Sequence, residues 1–158
     1  MMQYTKENTR VIWWICLGAM AILFLNALRS LPQIADLLIS GDGDDLTRLQ
    51  EVRDWLGGQS WFDTRQYRIL PPEGISIHWS RYVDLGIAAF LVPASWVLPP
   101  TQAELAAIML WPTLLGCFAI LVIGHGANRL MGPAGAIGAL VVFLTWSKLG
   151  GEFVVGRI

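Results

Sequence analysis

The sequence predicts an all-α polytopic membrane protein, with about three transmembrane helices and a large external loop, on three observations. Hydrophobic residues make up 54% of the 158-residue chain and charged residues only 15%, a balance that points away from an ordinary soluble domain. Three runs without a charged side chain, 11–28, 105–123 and 130–146, are long enough to cross a bilayer or nearly so. Fifteen of the 23 charged side chains fall between Arg29 and Asp84, so the polar chemistry is gathered in one segment. In hydrocarbon, each apolar run satisfies its backbone only as a helix.

The first run, Val11 to Leu28, follows a basic flank of Lys6 and Arg10. It is longer than a typical cleaved signal core, and "NALRSLPQ" offers no small-x-small cleavage site, so it reads as an uncleaved anchor. The segment 29–84 is the external loop. Within it Leu46, Leu49, Val52 and Leu56 recur at helical spacing, Asp44 or Asp45 is placed to cap the start, and Gly57-Gly58 ends the turn. This is a short amphipathic helix. Downstream, "WFDTRQYRILPPEGISIHWSRYVD" mixes aromatics and arginines around a Pro-Pro turn, as suits a segment at a membrane surface.

The run 85–99, "LGIAAFLVPASWVLP", is short and carries Pro93 and Pro99. It is assigned as an interfacial or re-entrant helix. Run 105–123 contains Pro112, an expected kink, and a short basic turn at Arg129 leads into run 130–146. There Gly132, Gly135 and Gly138 with Ala134, Ala136 and Ala139 make a small-residue surface that permits close helix approach, either within the chain or to a partner. With three crossings, the 29–84 loop and the C-terminal "KLGGEFVVGRI" share the periplasmic or extracellular side of an inner (cytoplasmic) membrane, and Arg129 lies inside. The whole chain, 1–158, is read as one membrane domain.

The net charge of -1 gives no basic surface for nucleic acid. Cys16 and Cys117 lie in apolar runs and read as small hydrophobes. No acidic, basic or histidine side chain lies inside a predicted span, which disfavours a transporter or channel path. His125 reads as a helix-end residue near headgroups.

Two clusters carry candidate chemistry. Asp42, Asp44 and Asp45 present carboxylate oxygens of the kind hard divalent cations favour, and the blander reading is a helix cap with solvated neighbours. In "HWSR", His78 and Arg81 together suit a phosphate; the alternative is an interfacial anchor with Trp79 at headgroup depth and Arg81 paired to Asp84. Arg65 and Arg68 have the same ambiguity, with solvated surface the plainer role.

"GDDLTRLQEVRDWLGG" after a first membrane helix, then "HWSRYVD" before a short apolar segment, then "AELAAIMLWPTLLGCFAILVIGHGANRLMGPAGAIGALVVFLTW", form an ordered set. That order resembles the catalytic subunits of oligosaccharyltransferases and related GT-C glycosyltransferases, over roughly Val11 to Ile158. The resemblance implies transfer of a sugar or oligosaccharide from a polyprenyl-(pyro)phosphate carrier to an external acceptor. It implies Asp44 as a metal ligand that also orients or activates the acceptor; by proximity to it, Asp45 is read as a further ligand and His78 and Arg81 as facing phosphate. It implies a divalent cation, Mg or Mn, completed by a second acidic motif that the family carries after a "GR(I/V)" lead. The chain stops at "VVGRI", where that motif is due, so the expectation is an N-terminal portion, inactive alone, whose remaining helices come from the same protein or a partner subunit. The alternative is a small non-enzymatic membrane protein acting as a scaffold or assembly subunit.

Overall fold

The computed structural model describes residues 6–32, 35–36 and 43–146; Asp42 and the C-terminal "KLGGEFVVGRI" lie outside them. The apolar run at 11–28, free of proline, lies within helix α1 (Lys6–Arg29). Ile12, Cys16, Ala19, Leu23 and Ala27 form its buried stripe, spaced at helical intervals along one face. The opposite face is just as apolar: Trp14 is 74% exposed, and Leu17, Ile22 and Leu25 are also exposed. A helix that is hydrophobic all round finds its match in lipid rather than water.

The two later runs both fall in α4 (Pro100–Thr145). Pro112 keeps helical dihedrals there, and the break comes at Gly132, with φ 73° and ψ -175°. The reversal expected at Arg129 is therefore three positions later, for a local reason. Nothing in "ANRLM" forces the backbone out of the helix, whereas Gly132 adopts a conformation closed to other residues and Pro133 can open the following helix. That the chain turns back is plain from Gly124 and Leu140, which stand equally far on either side of Gly132. A Cβ on Gly124 would lie 3.4 Å from Leu140 Cδ1, whereas in one straight helix the two positions are roughly 24 Å apart.

The chain divides into two compact units. The first holds α1 and α4 from Pro112 onward. Ile12, Cys16, Ala19 and Leu23 of α1 pack with Ile120 from one limb of α4 and Ala136, Leu140 and Phe143 from the other. Gly124 is needed in this contact, since a Cβ there would come within 2.6 Å of Cys16 Sγ. Ala136, from the small-residue surface, is used inside this unit.

The second unit contains the charged segment through Trp111. Helix α2 (Gly43–Leu56) is the expected amphipathic helix. Its end is a Schellman motif: Gln59 N–H donates to Asp54 O and Gly58 N–H to Trp55 O, both at 3.0 Å, with Gly58 at φ 112°. Asp44 and Asp45 occupy its first turn rather than the cap. The buried face is rotated from the leucine stripe, comprising Arg48, Leu49, Glu51 and Val52, while Leu56 is exposed. The rotation brings charged side chains inward to partners far away in sequence, which local periodicity does not reveal.

A two-residue antiparallel ladder follows, β1 (Arg65–Gln66) with β2 (Ile75–Ser76), Arg65 opposite Ser76. It is the one departure from an all-helical fold among the described residues. Helix α3 (Arg81–Ser95) takes in 85–95 of the predicted interfacial segment; it starts earlier, because Ser80 caps it by accepting from Tyr82 N–H at 3.3 Å, and it ends before 96–99. Val52 of α2, Ile87, Ala88 and Leu91 of α3, and Ala103 and Ala107 of α4 form the core of this unit.

Candidate functional site

Oppositely charged residues three apart on two successive helices, Arg48 with Glu51 and Arg81 with Asp84, build the polar centre of the second unit. Asp84 is 0% exposed. One carboxylate oxygen accepts from Arg48 Nη1 at 3.0 Å and the other from Arg81 Nη1 at 3.1 Å. Arg48 Nη1 also reaches Ser80 O at 3.4 Å and stands 3.6 Å from Glu51 Oε2. Arg81 donates further to Glu51 O at 3.3 Å and to Asp63 O.

Pairing each guanidinium with the Asp84 carboxylate offsets much of the cost of burying them. Trp79 covers the cluster, its ring centroid 4.4 Å from the Arg48 guanidinium carbon. Glu51, 1% exposed, has no hydrogen-bond partner for Oε1 among the described residues. Burial pushes its carboxyl above the ordinary range, the Asp84 charge adds to this, and Arg48 and Arg81 oppose it.

The sequence-predicted site residues stand as follows. Asp44 is exposed and Asp45 half-buried on the first turn of α2, one turn before Arg48. His78 is exposed, its ring 6.4 Å from that of Trp79. Arg81 is buried and committed to Asp84, the pairing that the blander reading anticipated, so its guanidinium holds protein groups instead of facing solvent. Arg48 and Glu51 were missed as central residues. Their signal was their place among Leu49 and Val52, on the side of the helix that is buried.

A second ionic set lies at the surface. Arg53 grips Glu104 with a fork, Nε to Oε1 at 2.6 Å and Nη2 to Oε2 at 2.8 Å. Arg68 Nη1 donates to Asp54 Oδ2 at 2.6 Å. Burial acts to raise the Asp54 carboxyl, but hydrogen bonds from Arg68 and Gln50 outweigh it and hold it below the ordinary range. Arg53, Asp54 and Arg68 border a cleft of about 460 Å³.

Fold and site thus define a predominantly helical protein, with two helices among the described residues long and apolar enough to cross a bilayer, and a unit built round a buried charge network. The apolar helices point to membrane association. Comparison with protein-family models, curated proteins and solved structures found no match to this chain.

Proposed function

We propose that this chain is part of a polytopic membrane glycosyltransferase that transfers a sugar or oligosaccharide from a polyprenyl-(pyro)phosphate carrier to an external acceptor. The observation that carries the reading is the mounting of Asp44 and Asp45: they stand on the first turn of α2, and the Arg48–Asp84–Arg81 network anchors that helix to α3. Such anchoring fixes the helix that carries the two aspartates, and positioning chemistry requires a fixed scaffold. Residues 29–84 then face the periplasm or cell exterior. In this reading the apolar runs 11–28, 105–123 and 130–146 make three crossings.

Among the described residues no three His, Cys, Asp or Glu side chains gather as a metal-holding group. In this reading Asp44 and Asp45 would supply oxygen ligands to a Mg or Mn ion, the rest of its shell being water or further carboxylates, which these ions accept. When bound, the ion offsets negative charge on the carrier phosphate. His78, exposed beside Trp79, is the residue of "HWSR" available to donate to a phosphate oxygen. Arg81 acts through the fold, fixing the start of α3 next to it.

The test is calorimetric titration of Mn into purified protein in detergent. A binding event in wild type that disappears in Asp44→Ala supports the reading. Identical isotherms for the two proteins remove Asp44 from the proposal. Cysteines placed at Gln59 and Arg129 should be labelled from opposite sides of the membrane; labelling of both from one side rules out the three-crossing arrangement.

A further inference from the structure

Two clefts of the second unit meet at one side chain. The first, about 460 Å³, is polar and lined by Arg53, Asp54, Gly57, Gln59, Tyr67 and Arg68. The second, about 300 Å³, is walled by Leu56, Leu91, Val92, Leu98 and Ala103. Arg53 borders both, and its partner Glu104 borders the second. A molecule that fills the pair has an aliphatic part on one side of Arg53 and a polar head on the other.

The charges narrow the head. Arg53 is neutralised by Glu104 and Arg68 by Asp54, so the clefts carry two cations and two anions with no surplus. Arg68 commits Nη1 to Asp54 while its side chain stays 63% exposed, and a guanidinium has five N–H donors, so it still has donors for a phosphate. Asp54 supplies carboxylate acceptors in the same cleft. A diphosphate would set several negative charges against Asp54 and Glu104 without a free cation to balance them. A head with one phosphate and one ammonium matches this arrangement. The aliphatic part has a ready source, because the chain carries helices apolar and long enough to cross a bilayer.

We propose that Arg53 straddles a binding site for a zwitterionic membrane phospholipid, with its phosphate on Arg68, its ammonium at Asp54 and one acyl chain in the Leu56–Leu91–Leu98 groove. The site is separate from Asp44 and does not depend on sugar transfer. The experiment uses the full chain, delipidated in detergent, with phosphatidylethanolamine, phosphatidylglycerol or a polyprenyl phosphate added and retention read by native mass spectrometry. Phosphatidylethanolamine should be retained at one per chain. Arg68→Ala, which removes a charge-assisted hydrogen bond, and Ser95→Trp, which fills the groove, should each weaken retention about tenfold or more, with circular dichroism confirming that both variants fold.

Equal retention of all three lipids by wild type and both variants would mean a nonspecific lipid belt and overturn the proposal. So would a preference for polyprenyl phosphate over phosphatidylethanolamine. An Asp44→Ala protein that loses Mn binding but keeps the phospholipid leaves both readings standing, each on its own result.

Discussion

Arg48 and Asp84 form a buried ion pair of 3.0 Å that ties α2 to α3, with Arg81 holding the second oxygen of the same carboxylate. Removing Asp84 takes away the carboxylate that both buried guanidiniums hold. Asp84→Ala is expected to destabilise the protein by about 3–5 kcal/mol, the cost of orphaning a buried charge. Breaking the exposed Arg68–Asp54 pair with Arg68→Ala should cost less than about 1 kcal/mol. Denaturant unfolding followed by tryptophan fluorescence orders the two; equal losses would mean that the buried cluster does not hold these helices together.

Glu51 makes the cluster sensitive to pH. Its carboxyl is raised by burial first and by Asp84 second, so folding favours the protonated form. Its contribution is full below the ordinary glutamate range and is lost as pH rises through the raised value. Glu51→Gln stays uncharged throughout, so it should gain stability relative to wild type as pH rises from about 4 to 8. Asp54 has the opposite sign: its carboxyl is lowered, so its contribution is present above the ordinary aspartate range and lost as pH falls. Melting temperatures of wild type, Glu51→Gln and Asp54→Asn across pH test both. Parallel curves for wild type and Glu51→Gln would sink the first.

Gly86 on α3 packs against Trp111 of α4, and a Cβ there would overlap the indole ring. Interiors packed at crystal-like density do not absorb such an overlap freely. Gly86→Ala is expected to cost about 1–3 kcal/mol despite its better helix propensity. Adding Trp111→Leu should recover part of that loss, with a coupling above about 0.5 kcal/mol in the double-mutant cycle. Additive effects would show that the two residues do not share the contact.

Several of these features were legible in the sequence because they are local. The apolar run of α1, the Gly57-Gly58 stop, and the Arg81–Asp84 pair three residues apart can each be read from a few neighbouring letters. The Arg48–Asp84 pair cannot: its partners are 36 residues apart, and it is what rotates the buried face of α2 away from Leu56. The short ladder of Arg65 and Gln66 with Ser76 and Ile75 was missed because two-residue strands carry no periodicity. The candidate aspartates were legible as residue types, while the helix that seats them is fixed by partners only the fold brings together.

Gly132 and Gly138 belong to the same small-residue surface but should respond to the same substitution with opposite sign. Gly132 sits at φ 73° and ψ -175°, a region essentially reserved for glycine, where any side chain strains the backbone by about 1–3 kcal/mol. It also marks the point at which α4 reverses to bring Leu140 beside Gly124. Gly138 lies in the regular helix beyond, and a Cβ there meets nothing within 4 Å. Replacing a glycine inside a helix with alanine gains roughly 0.5–1 kcal/mol when nothing is in the way. Thermal unfolding in detergent should therefore rank Gly138→Ala at or above wild type and Gly132→Ala clearly below it. A Gly132→Ala protein as stable as wild type would show that the reversal does not depend on the glycine backbone, and a destabilised Gly138→Ala would show that this face is already occupied by a second helix.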